Sequence, residues 1–297
     1  MCATFIYADT TVWNTLCDQS VDGGGLTKDL AANQSQLVLG TNAVYEMART
    51  FKGSRPHAHQ RGKELFSYLR QYVQLDIPLL RQTDELLRDE VKHVRKEIKD
   101  IALWYGSANY KKLVEEVDKL SEGVFDSRAA QFIPLREAEA KKSRNDLYEA
   151  IEEQSHLKQK LSEISEESVG RWIAKEVKHS ARRILKGHLV KQVNGLSLRE
   201  LTWLAKRLLG SSHYRVSNAM VRSDIYLNWR YCRRGALGKD IPDDNYHAVN
   251  ASYCNFFVTT DPGLAEYMSH VLRNTKVRLY GRKSPIRNWL VAICGQP

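Results

Sequence analysis

The strongest constraint in this sequence is where its short apolar runs stop. TFIYA (4–8) ends at Asp9, QLVLG (36–40) at Thr41 and Asn42, and NFFVTT (255–260) at Asp261. A buried strand that gives way to a helix again and again is the pattern of βα units around a mainly parallel sheet. The first unit reads as a strand over 4–8 and a helix over about 11–19, followed by a loop at VDGGGLTKD (21–29), where three glycines permit many backbone paths. The second is the strand at 36–40 with the helix TNAVYEMARTF, capped by Thr41 or Asn42, whose Val44, Met47, Ala48 and Phe51 form one apolar stripe. A helix from Arg61 to Tyr72 and a third strand, VQLDI (73–77), closed by Pro78, complete this half.

From about residue 80 to 235 the spacing becomes helical. Leu87, Val91, Val94, Ile98, Ile101 and Tyr105 step by fours and threes, which predicts one long helix. Residues 136–168 are dense in Glu, Lys and Arg and read as an exposed helix or hairpin, and further amphipathic helices follow through Val169, Ile173, Val177 and then Leu198, Leu201, Leu204, Ala205, Leu208. The α/β pattern returns at Pro242 with a helix, NFFVTT, a helix over 263–273, the strand KVRLYG and an apolar tail, WLVAIC. The strands on either side of the gap are too few to close separate sheets. The expectation is one α/β core, residues 1–80 and 240–297, interrupted by an all-helical insert over 81–239.

Net charge is +10, but residues 171–239 hold sixteen Lys and Arg against Glu176, Glu200 and Asp224, a balance of +13 that leaves −3 for the rest. A basic block of this kind serves a phosphate-rich partner or forms a solvated helical face. Its densest parts, HSARRILKGHLVK and NWRYCRRGALGK, single out Arg182, Arg183, Lys186, Arg230, Arg233 and Arg234 as nucleic-acid contacts. Trp229 and Tyr231 could stack on unpaired bases or, more commonly at helical spacing, fill a core. LSLRELTWLAKRLLGSSHYRVSNAMVR (196–222) has a helix–Gly–helix cadence that suits ordinary packing better than a DNA-reading element. No window approaches the roughly 18 apolar residues of a membrane span, and the first residues lack a secretory pattern. Cys2, Cys17, Cys232, Cys254 and Cys294 are scattered and never form a C-x-x-C pair, which suits free thiols in a reducing compartment. Together these features point to a cytoplasmic chain.

Ligands of parallel α/β sheets bind beyond the carboxyl ends of the strands. Asp9 and Asp261 both fall there, and Asp244 opens a helix whose small Ala248, Ala251 and Ser252 let it pack close to the sheet. Gathered carboxylates repel one another unless a cation neutralises them, and an all-oxygen set suits Mg²⁺ or Mn²⁺. Each acid also has an ordinary use: Asp9 and Asp243 or Asp244 as helix N-caps, Asp261 in a turn with Pro262 and Gly263.

The segments IYADTTVW, LVLGTNAVYEMART, DDNYHAVNASYC and FFVTTD, in this order, resemble the PIN-domain nucleases over about residues 1–80 and 240–281. That resemblance implies a PIN-like three-layer α/β fold and a two-metal phosphodiesterase centre. Its ligands would be Asp9, Glu46, Asp244 (or Asp243 beside it) and Asp261, with Thr10 and Thr260 orienting them. It implies cleavage of RNA, or of single-stranded DNA, to 5′-phosphate and 3′-hydroxyl ends. Glu46 rests on the resemblance alone, because at 100° per residue it lies opposite the apolar stripe of its helix and reads as exposed. His247, three residues after Asp244, and Tyr253-Cys254 are similar to a PIN-like subgroup with extra helices. A catalytically silent nucleic-acid-binding or scaffold protein of the same fold is the competing expectation. An inhibitory protein partner, a homodimer, and roles in toxicity, defence or RNA processing all stay open.

Overall fold

A computed structural model of the chain describes residues 3–53, 56–125, 133–135, 137–138, 141–142, 145, 148–149, 152, 155–193, 195–234 and 241–294, without the side chains of 155–157, 192 and 241–245. β1 (Thr4–Ala8), β2 (Ser35–Gly40), β3 (Leu79–Leu80), β4 (Phe256–Thr259) and β5 (Lys276–Leu279) form one all-parallel sheet in the order β3-β2-β1-β4-β5. Ile6 pairs with Leu37 on one side and Phe256 on the other, so β1 is central and its end lies beside the end of β4.

Successive strand side chains point to opposite faces. Ile6, Ala8, Leu37, Leu39, Leu79, Phe256 and Val258 enter one core; Tyr7, Val38, Leu80 and Phe257 enter the other. The first core is covered by α1 (Thr10–Asp18), α2 (Gly23–Ala32), α3 (Thr41–Arg49), α4 (Ala58–Val73), α6 (Ser107–Ser121) and α13 (Ile286–Cys294). The second is covered by α5 (Thr83–Val94), α7 (Ser155–Ser162), α8 (Glu166–Gln192), α9 (Leu198–Leu209), α10 (Arg215–Arg234), α11 (Ile241–Ala251) and α12 (Pro262–Val271). The result is a three-layer α/β sandwich. Most helices between residues 81 and 239 form one of its outer layers, and their side chains share a core with Tyr7 and Phe257.

One polar contact ties that layer together. Glu90 of α5 is fully buried and accepts hydrogen bonds from Val216 N (2.8 Å), Ser217 N (3.0 Å) and the Tyr253 hydroxyl (2.7 Å). It thereby occupies the amino end of α10, where backbone N–H groups lack helical partners. Burial pushes its carboxyl up to about 7, against the pull of these bonds.

Five local expectations differ. α3 is capped by Gly40, with no side-chain cap bond, because Thr41 and Asn42 already lie inside the helix. VDGGGLTKD is helical rather than a loop: Asp22 caps α2 by accepting from Gly25 N (2.6 Å), and buried Leu26 and Leu30 hold it in place. Packing and a cap outweigh the entropy of three glycines. VQLDI is not a strand, because Tyr72 and Val73 continue the buried stripe of α4 and Asp76, at φ 51°, turns the chain. The strand is Leu79–Leu80, just beyond Pro78, whose carbonyl accepts from Leu39 N (3.0 Å). The long helix through Tyr105 ends at Val94, with Lys96 in the left-handed region (φ 61°). Residues 103–105 then run beside β3, with Arg81 N donating to Leu103 O and Tyr105 N to Leu79 O (both 3.0 Å), and so cover an otherwise open sheet edge. WLVAIC, read as a tail, is helical. The expected element at 136–168 lies largely outside the described residues. Among the described residues no helix is long and apolar enough to cross a membrane, and Cys17, Cys232, Cys254 and Cys294 are free thiols.

Candidate functional site

Because β1 and β4 are neighbours, the residues that follow them meet at the carboxyl edge of the sheet. Asp9 is only 1% exposed and caps α1, accepting from Val12 N (2.9 Å). The Thr11 hydroxyl donates to the same carboxylate at 2.8 Å, and the Thr259 hydroxyl donates to its other oxygen at 2.7 Å. Thr259 Oγ1 also accepts from Asp261 N (2.9 Å), so one hydroxyl links the Asp9 carboxylate to the backbone of Asp261. Thr11 Oγ1 likewise accepts from Thr260 N (3.0 Å). Asp261 is exposed and caps α12, its Oδ1 accepting from Gly263 N (2.7 Å) and Leu264 N (3.1 Å).

Of the two threonines expected to orient the acids, Thr10 does so by donating to Glu46, while Thr260 contributes only a backbone N–H to Thr11. The hydroxyls that orient Asp9 belong to Thr11 and Thr259. Thr259 was missed because its side chain faces inward from the strand and reads as core.

Glu46 corrects the periodicity argument. Its carboxylate is 20% exposed, with Oε2 3.0 Å from His247 Nε2. The far face of α3 is not solvent, because α11 brings His247, itself 2% exposed, over it. The other ring nitrogen, Nδ1, lies 2.7 Å from the Tyr7 hydroxyl. A buried relay thus runs from Tyr7 through His247 and Glu46 to Thr10. Gly40, at the end of β2, leaves room for the Tyr7 ring: a Cβ there would come within 2.6 Å of Tyr7 Cε2. His247 drew attention in the sequence only through the resemblance; Tyr7 gave no signal beyond being an apolar-run residue.

The electrostatics of the two buried acids diverge. Burial pushes Asp9 up to about 6, although the Thr259, Val12 and Thr11 bonds and the His247 charge oppose it. Burial also raises Glu46, but the charge and hydrogen bond of His247, with Thr10 and Arg49, outweigh it and leave the pKa lowered. The site therefore pairs an acid that resists ionisation with one held ionised.

Asp243 and Asp244 fall in the first turn of α11, and their side chains lie outside the described residues. Among the described residues no three His, Cys, Asp or Glu side chains converge as a metal-ligand group. The donors at this edge are carboxylate and hydroxyl oxygens, the type that hard divalent cations prefer, together with the His247 imidazole beside Glu46. A cavity of about 270 Å³ opens farther along the edge, lined in part by Thr41, Tyr45, Gln82, Glu85 and Tyr105.

The basic helices divide. On α8, Arg182 and Arg183 are exposed and Lys186 half-buried, with no ion pair to a described carboxylate. On α10, Arg234 pairs with Glu166 (2.9 Å) and Glu266 (3.6 Å), and Arg233 donates to Ser162 O (2.7 Å), while Arg230 is half-buried. Trp229 is fully buried and Tyr231 7% exposed, so both are core residues rather than stacking platforms. The same burial runs along α10 through Val216, Ala219 and Met220, so most of this helix packs into the core, as ordinary packing predicts. No protein-family model, curated protein or solved structure matches the chain.

Proposed function

We propose that the chain is a Mg²⁺- or Mn²⁺-dependent phosphodiesterase that hydrolyses nucleic acid, RNA in preference to single-stranded DNA. The observation that carries this reading is the Thr259 hydroxyl, which contacts both Asp9 and the backbone of Asp261 at the carboxyl edge of a parallel sheet. Glu46, 20% exposed and paired with His247, adds a second held carboxylate.

In this reading Asp9, Glu46 and Asp261, with Asp244 or Asp243 from the start of α11, hold the cations. A divalent pair, when bound, lowers the pKa of water and neutralises the charge that builds on phosphate oxygens. The chain's own contribution is preorganisation. Thr11 and Thr259 fix the Asp9 carboxylate, and His247 with Thr10 fixes Glu46. The carboxyl of Asp9, raised to about 6 by burial, is one that a neighbouring cation would ionise readily. Arg182, Arg183 and Lys186 supply a sequence-blind phosphate-binding face.

The competing reading is a silent nucleic-acid-binding or scaffold protein, and it draws on the use of both Asp9 and Asp261 as helix caps. Labelled RNA and single-stranded DNA panels, incubated with each metal and with chelator, separate the two. Expected is metal-dependent cleavage, abolished by chelator and reduced at least a hundredfold in Asp9→Asn and Asp261→Asn, in line with the roughly 10²–10³ effect of removing one preorganised charge-stabilising group. Full activity in both variants refutes the metal site. Binding without cleavage under every metal favours the silent reading.

A further inference from the structure

The opposite edge of the sheet, where β4 and β5 begin, carries a second site that owes nothing to the acids. A cavity of about 510 Å³ opens there between the start of α10, the end of α12 and the turn after α9. Binding cavities for organic ligands span about 300–1,000 Å³, and a bare anion would fill only a fraction of this one.

Its lining includes Arg215, Arg222 and Arg273 and no acidic residue. Arg222 is 9% exposed; its Nε donates to the carbonyls of His270 and Val271 (both 3.1 Å) and its Nη2 to His270 O (2.6 Å). These bonds cap the carboxyl end of α12 and fix the guanidinium in place. Arg215 lies over the Tyr253 ring at 5.8 Å, and Arg273 is exposed at the rim. None of the three forms an ion pair with a described carboxylate. Burial, with the charge of Arg273, lowers Arg222 to about 10. Arg222 is thus a largely buried charge with no described carboxylate beside it, in a cavity whose wall adds two more cations, and an anion there would offset the cost of that burial.

A second observation is independent of charge. Ser252, at the same cavity, is 4% exposed, and its Oγ has no hydrogen-bond partner. Buried hydroxyls are almost always satisfied. Helix capping by Arg222 explains neither this orphaned donor nor the gathering of Arg215 and Arg273 around it.

We propose that this cavity binds a small molecule bearing a phosphate monoester. Arg222 supplies the buried charge, Arg215 and Arg273 close over the anion from the rim, and the Ser252 hydroxyl donates to a phosphate oxygen. The inference stands apart from the phosphodiesterase reading, since it uses the other edge of the sheet and no metal.

The test is thermal unfolding and calorimetry on the full chain in chelator, at constant ionic strength set with chloride. The arms are inorganic phosphate, a nucleoside 5′-monophosphate and the same nucleoside without phosphate. Expected is a saturable rise in melting temperature with phosphate and with the monophosphate, and none with the nucleoside. Tighter binding of the monophosphate assigns the site to an organic ester; equal binding assigns it to the free anion. Ser252→Ala loses no existing bond, so it melts no lower than the parent without ligand, yet it weakens phosphate binding about tenfold. Arg273→Ala, at the exposed rim, does the same. The proposal is overturned if neither phosphate nor the monophosphate gives a saturable effect beyond the chloride control, or if both variants bind them as the parent does.

Discussion

Asp9→Asn offers the sharpest test of the electrostatics at the candidate site. Asp9 is 1% exposed, and burial raises its carboxyl from the ordinary 3.8 to about 6. A carboxyl harder to ionise in the folded chain contributes stability that is fully present below the unfolded pKa and is lost as pH rises through the folded one. At ~1.4 kcal/mol per tenfold change in proton affinity, the whole effect is about 3 kcal/mol. Roughly 2 kcal/mol of it falls between about pH 4.5 and pH 7.5. Asparagine does not titrate and keeps the shape, and its amide can still meet the Thr11 and Thr259 hydroxyls. Guanidinium unfolding of parent and variant in chelator, followed by tryptophan fluorescence, measures the difference at each pH. The variant should gain on the parent by about 2 kcal/mol across that interval. Taking the difference cancels Glu90, which lies in the other layer and titrates in both proteins. At the upper pH, Mn²⁺ should stabilise the parent more than the variant. A difference that stays flat with pH, or moves in the parent's favour, refutes the claim that Asp9 is desolvated in the fold.

Two further outcomes probe the relay behind Glu46. Gly40→Ala should destabilise the chain by roughly 1–3 kcal/mol, as overpacking does, and Tyr7→Phe should relieve part of that loss; an unchanged denaturant midpoint would mean that the Tyr7 ring does not sit against β2. Tyr7→Phe and His247→Gln, measured singly and together, should couple by about 1 kcal/mol or more; strictly additive losses would mean that the hydroxyl and the imidazole do not interact.

What the sequence determined by itself was local. Apolar runs of strand length, the capping acids at their ends and the helical spacing after them suffice for βα units, for a parallel sheet, and for Asp9 and Asp261 at one edge. Those signals are written within a few residues of each feature. Even locally they failed where packing decides, as in the glycine-rich start of α2 and the two-residue strand that replaced VQLDI. The contacts that make the edge a site were not legible. Thr259 reaches Asp9 across 250 residues of chain and Tyr7 reaches His247 across 240, through the pairing of β1 with β4 and the seating of α11. Glu46 reads as exposed on its own helix and becomes partly buried because a distant helix covers it. The gathering of Arg215, Arg222, Arg273 and Ser252 also waits on three separate elements meeting. Periodicity specifies which face of an element seeks cover, but which partner arrives, and with what hydrogen bonds, is settled only when the layers assemble.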